Sequence, residues 1–175
     1  MRACLFGLGL LGLGLLGLNV GPALAAPVPA ARVVEPAGGF SYVPPPGWHV
    51  KSFPGLKYKM CYAPPASGYS PNLIVSEDRS AQSLDVYQQA SNAGLRQSYA
   101  NVHIISQTPF VTSAGLQGLR IAVVGVPTKL HLAQIFYLFP ASSTRKLIVL
   151  VSWLSADGNK YAAAADTAMK TLKLQ

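Results

Sequence analysis

Residues Leu116–Leu154 read LQGLRIAVVGV, PTK, LHLAQIFYLF, PASSTRK and LIVLVSWL. Three runs rich in Val, Ile, Leu, Phe and Tyr are thus separated by clusters of Pro, Ser, Thr and basic residues. Branched and aromatic side chains fit a pleated, packed surface, and breakers at this spacing predict antiparallel neighbours. The last run is apolar on both alternating sets: Leu147, Val149, Val151 and Trp153 on one, Ile148, Leu150 and Leu154 on the other. Such a strand needs cover on both faces, which places it inside a sheet with helices above and below.

Working outward, the segment from Ser83 to Tyr99 carries Leu84, Tyr87, Ser91 and Leu95 at helical spacing. Ser83 is suited to cap it and Asp85 to sit in its first turn. Val102–Ser106 and Phe110–Val111 resume strand character around Pro109. Upstream, Phe40–Val43 and Trp48–Val50 flank a Pro44-Pro45-Pro46-Gly47 corner, with Trp48 plugging that end of the core. Lys57–Tyr62 and Asn72–Ser76 alternate as two further strands. After an Ala156–Asn159 turn, KYAAAADTAMKTLKL places Tyr161, Ala165, Ala168 and Leu172 on one helical face. The predicted order is β-β-β-β-α-β-β-β-β-α, an α+β fold. Its antiparallel sheet is flanked by helices on both faces, an α/β/α sandwich.

The chain start has another logic. Arg2, the apolar Leu5–Val20 run and Ala23-Leu24-Ala25 have the order of an export signal in residues 1–25, with an uncleaved membrane anchor as the rival reading. Its GLG repeats follow no strand and are not a phosphate loop. Residues 26–38, rich in Pro and Ala, read as a linker, and 39–175 as a single domain. Cleavage after Ala25 leaves 150 residues, with 13 Lys and Arg against 6 Asp and Glu. Cys61 is then the single cysteine, set between bulky residues as a buried thiol, so no internal disulfide forms. The positive charge is scattered and forms no nucleic-acid arm. An anionic membrane surface or an acidic partner is its functional alternative to a solvated face.

The chemistry-bearing residues are sparse. His49, His103 and His131 show no metal-ligand spacing. Glu77 and Asp78 are adjacent on a strand and point to opposite faces, reading as a solvated strand end. Asp85 and Asp166 are explained by helix dipole or capping. No G-x-S-x-G elbow or S-x-x-K is present. We therefore predict no catalytic, metal or cofactor site. Lys57, Tyr58, Lys59, Tyr62 and Tyr69 are the candidate binding residues, with packing beneath a loop as the competing reading.

Gly39-Phe40-Ser41-Tyr42-Val43-Pro44 leading to Pro46-Gly47-Trp48 resembles the opening of the PsbP-like superfamily, which includes the bacterial DcrB-like proteins. The helix after Asn72-Leu73-Ile74-Val75 and the closing Met169-Lys170-Thr171-Leu172-Lys173-Leu174 also fit that pattern, over about residues 39–174. The resemblance implies an α/β/α sandwich that binds protein partners and has no known enzymatic activity. Members serve as lumenal photosystem II subunits or assembly factors, envelope proteins and secretion-effector chaperones. The single short export signal departs from the photosynthetic members, and from a cytoplasmic chaperone.

The combined expectation is a non-catalytic exported domain, periplasmic or extracellular, that docks on another envelope or membrane-associated protein. The alternative is a small-molecule or lipid carrier using space between the sheet and the Ala-rich last helix. A hydrolase ranks third, because it needs a nucleophile and base drawn together from distant positions.

Overall fold

The computed structural model describes residues 31–65, 67–127 and 129–175. The export signal expected in residues 1–25 lies outside the described residues. Strands β1 (Val33–Glu35), β2 (Phe40–Tyr42), β3 (His49–Lys51), β4 (Met60–Tyr62) and β5 (Asn72–Arg79) precede helix α1 (Leu84–Ser98). Strands β6 (Ala100–Val111), β7 (Gln117–Val126), β8 (Leu132–Ser142) and β9 (Arg145–Leu154) follow. Helix α2 (Ala162–Lys170) and the short β10 (Lys173–Leu174) close the chain. It is a mixed α+β fold dominated by strands.

Seven strands form one sheet in the order β3-β4-β5-β9-β8-β7-β6, with every neighbouring pair antiparallel. The three apolar runs are β7, β8 and β9. They lie side by side as expected, and β9 is the central strand. Three short strands form a second sheet, β1-β2-β10. Pairing therefore begins at Val33, inside the stretch read as linker, and the observed order has one more strand at each end than expected. The glycine pair in front of β2 shows why. A Cβ at Gly38 would lie 2.5 Å from the Phe40 ring and 2.8 Å from Tyr58, and Gly39 adopts φ +62. Only glycines let the chain turn that tightly from β1 into β2.

Alternation then sorts the core into two clusters. Leu147, Val149, Val151 and Trp153 of β9 pack with Ile135, Tyr137 and Phe139 of β8. The same cluster takes in Ala165, Ala168 and Met169 of α2 and Phe40 and Tyr42 of β2. The other alternating set, with Ile121, Val123, Phe136, Leu138 and Ile148, packs with Leu84, Tyr87 and Leu95 of α1. Ser83 caps α1 as expected, its hydroxyl accepting from the Val86 amide at 3.4 Å.

Val102–Ser106 and Phe110–Val111 form one strand that runs through Pro109, in keeping with the predicted order. β6 is an edge strand, where the missing proline N–H costs least. Its register shifts between Ile104 and Ser106, and Ile105 is left 65% exposed. One expectation is corrected. Cover on the Ile148 side is partial: Ile148, Leu150 and Leu154 are half-buried while Leu147, Val149 and Val151 are fully buried. Seven strands span about 29 Å at ~4.8 Å spacing, and one helix is about 10–12 Å across. α1 alone cannot roof that face, whereas α2 is joined on its side by the three-stranded sheet.

Candidate functional site

The strand register draws one row of residues across the seven-stranded sheet: His49, Tyr62, Asn72, Ser152, Gln134, Val123 and Ile104. Residues opposite one another on paired strands share a face, so this row lies on the α1 side. Its first five members are polar or polar-tipped in a sheet whose alternation is otherwise apolar. Gln134 and Ser152 are only 4% and 3% exposed. The Gln134 amide donates to Ser152 Oγ at 2.9 Å, and Asn72 donates to the Tyr69 hydroxyl and the Ser70 carbonyl, both at 3.0 Å. Gln134 Oε1 has no partner among the described residues. A buried acceptor left without a donor costs about 1–3 kcal/mol, so its retention is informative. Sequence reasoning missed this row. The available signal was a lone Gln in LHLAQIFYLF and a lone Ser in LIVLVSWL, each a polar residue in the middle of a core strand.

Beside the row, a cleft of about 220 Å³ opens between α1 and the sheet. Gly94, Leu95 and Tyr99 line it from the helix side, and Ile121, Phe136 and Leu138 from the sheet. At one end the Tyr87 hydroxyl donates to Asp78 at 3.0 Å; burial first, then that carboxylate, pushes its pKa up to about 12. At the other, burial raises the Tyr99 hydroxyl and contact with Gln134 opposes the rise. The space expected between the sheet and the last helix is not where small residues were read to leave it. Ala165 and Ala168 are 0% and 2% exposed and bring α2 into close contact, leaving about 60 Å³ beside Arg120 and Ala162.

The five nominated residues divide into two groups. Lys57 pairs with Glu77, which also accepts from the Tyr58 hydroxyl at 2.8 Å and from Arg145 at 3.2 Å. Tyr58 is buried, edge-on to Phe40 at 5.0 Å between ring centroids, and Lys59 lies 3.7 Å from Glu35. Tyr58 and Lys59 join the small sheet to the large one, and Lys57 braces that seam through Glu77. The Lys57 hydrogen bond, followed by those from Tyr58 and Arg145, holds the Glu77 carboxyl below its ordinary range against the opposing effect of burial. Tyr62 belongs instead to the polar row, and Tyr69 joins it by accepting from Asn72. Tyr62 packs between His49 at 5.6 Å and Phe53 at 5.9 Å, and Lys51 stands over the Phe53 ring at 5.8 Å. All three residues of β3 are exposed at this sheet edge.

Three other groups take on contacts that sequence did not give them. Asp78 stands at the exposed end of β5, as expected, and it also accepts from Tyr87 of α1, while half-buried Glu77 takes the contacts of Lys57, Tyr58 and Arg145 at the sheet–sheet seam. Asp166 does more than complement a helix: it accepts from Arg120 Nε at 2.7 Å and from the Tyr137 hydroxyl at 2.5 Å, fixing α2 to the sheet. His131 Nδ1 lies 2.5 Å from Ser155 Oγ in an exposed turn. His49 and His103 stand on strands at or near opposite edges of the sheet. Among the described residues, no group of three or more His, Cys, Asp or Glu is arranged to hold a metal. Burial pushes the Cys61 thiol up to about 12, so it is no nucleophile at neutral pH.

No family model matches the chain, and no curated relative matches it. Its architecture does match solved structures. The cyanobacterial PsbP protein CyanoP from Synechocystis superposes with a TM-score of 0.60 at 11% identity, over 89% of this chain and 99% of that one. LpqN of Mycobacterium tuberculosis, described as involved in cell envelope biogenesis, gives 0.60 at 11% identity, over 85% and 86%. A Pseudomonas aeruginosa protein of unknown function gives 0.59 at 11% identity, over 73% and 97%. At this identity the likeness speaks for the fold alone. The resemblance read in Gly39–Trp48 and in the closing helix is met at that level: the chain has the PsbP-like fold.

Proposed function

We propose that this protein is a non-catalytic exported accessory domain that docks on another envelope or membrane-associated protein. The observation that carries the reading is the β3 edge, where His49, Val50 and Lys51 are all exposed and Phe53, Tyr62 and Lys51 form a basic, aromatic ledge. Aromatic side chains with a cation beside them offer contact area at low entropic cost, and an open strand edge offers backbone hydrogen bonds. The fold-level likeness to LpqN, described as acting in envelope biogenesis, supports the same setting. Among the described residues no helix is long and apolar enough to cross a membrane, and the export signal is part of this proposal. Of the nominated residues, Tyr62 and Tyr69 contribute to the ledge and the row behind it. Lys57, Tyr58 and Lys59 act by holding the two sheets in register.

Site-specific photocrosslinking from position 50 in living cells tests this reading. It predicts one reproducible adduct, lost when Lys51→Glu is combined with Phe53→Ala and absent when the crosslinker is placed at Ile105 on the opposite edge. No adduct from position 50, or the same adducts from both edges, would overturn it.

A further inference from the structure

We propose that the outer surface of the three-stranded sheet and the C-terminal end of α2 form a contact face for an anionic lipid bilayer. This goes beyond docking at the β3 edge and does not depend on it. Register places the residues. Phe40 and Tyr42 of β2 turn into the core with Val33, so Ser41 between them points outward. Ser41 stands opposite Val34 on one neighbour and Lys173 on the other, and residues opposite one another share a face. Arg32 reaches over the same row, its guanidinium donating to Ser41 Oγ at 3.3 Å and to the Thr171 carbonyl at 3.0 Å. Lys170 ends α2 one residue earlier, with its ammonium 4.6 Å over the Phe110 ring and donating to the Val111 carbonyl.

Arg32, Lys170 and Lys173 are exposed, and among the described residues none of them is in an ion pair. The acidic side chains of the same elements are already matched: Glu35 of β1 with Lys59, and Asp166 of α2 with Arg120. A helix C-terminus carries about half a negative charge, which three cations exceed. The face therefore presents uncompensated positive charge, whereas α1 on the opposite side sets Asp85 against Arg96. Val34 and Val111 stand beside the cations, 41% and 44% exposed. Apolar area and cations together are what hold a protein at an anionic membrane surface. The course of the chain favours a bilayer over an acidic protein. The apolar run expected to serve as export signal ends at Val20, twelve residues before Arg32, a stretch that spans at most about 40 Å. This face is thereby the one nearest, along the chain, to the segment that meets the membrane.

Cosedimentation of residues 26–175, which contain every described element, tests the proposal with two kinds of vesicle. One is phosphatidylcholine alone; the other is equal parts phosphatidylcholine and phosphatidylglycerol. Each cation near an anionic surface is worth about fivefold in partitioning. Three give about a hundredfold preference for the anionic vesicles at low salt, weakened as added salt shortens the Debye length. Lys170→Gln with Lys173→Gln should lower anionic binding about 25-fold, and Lys170→Arg with Lys173→Arg should retain it, which separates lost charge from lost fold. Arg96→Gln with Lys129→Gln removes the same charge from α1 and from beyond the far end of β7, away from Val111; it should lower binding less than about twofold. Equal binding to the two vesicles, no binding to either, as for a patch that takes an acidic protein, or equal losses in the two Gln pairs would each overturn the proposal.

Discussion

The two faces of the seven-stranded sheet are finished differently. On one, Leu147, Val149 and Val151 are wholly buried beneath α2 and the three-stranded sheet, and Asp166 locks α2 to Arg120 and Tyr137. On the other, α1 spans only part of the sheet, a polar row runs beside it, and a cleft remains under its second half. Small residues have opposite consequences on the two sides. Alanines in α2 permit close approach and leave little room against the sheet, whereas Gly94 in α1 leaves room unfilled. The difference teaches that one face stores the stability of the fold while the other keeps open surface and an unfilled cleft.

The largest test of that division is truncation. Met169→Ala removes a fully buried α2 side chain and should cost about 2–5 kcal/mol in urea unfolding. Leu95→Ala, from half-buried α1, should cost less than half as much; equal losses would erase the distinction. Next, Asp166→Ala strands the buried Tyr137 hydroxyl and should cost about 1–3 kcal/mol, or about 2–10 °C in Tm for a domain of this size. A smaller shift would mean that α2 is held by packing alone.

The seam between the sheets responds to pH. Glu77 is held below the ordinary carboxylate range, chiefly by Lys57, so its contribution is complete above that range and is lost as pH falls through its native value. The stability gap between the parent protein and Glu77→Gln should be constant from pH 8 to 6 and close below about pH 4. A gap that persists into acid would show that the contacts do not depend on the charge. The smallest effect runs the other way: Gly94→Ala should stabilise by about 0.5–1 kcal/mol, because nothing crowds the added methyl. Destabilisation there would show the helix to be packed more tightly than its cleft implies.

Much of the larger face was legible in the sequence, and the reason is periodicity. The alternation of Leu147, Val149 and Val151, the breaker at Pro127 and the Ala165–Ala168 spacing each report a local geometry that packing then reinforces, whereas Pro140 does not break β8, which runs on to Ser142. Ser83 announced its helix for the same reason. The site was not legible in this way. Its row depends on strand register, which sets Gln134 against Ser152 and Ser152 against Asn72 across residues far apart in the chain. The nominated Lys57-Tyr58-Lys59 stretch was visible as charge and aromaticity, but its partners Glu77, Arg145 and Glu35 come from other strands. β1 escaped because three residues beside Pro36 carry too short an alternation to be distinguished from a linker.

Native-state hydrogen exchange compares the two faces most directly. The account predicts that amides in the second half of α1, from Ser91 to Ser98, exchange through local opening well below the global unfolding free energy, while those of α2 and of central β9 exchange only with global unfolding. Equal protection of α1 and α2 would contradict it.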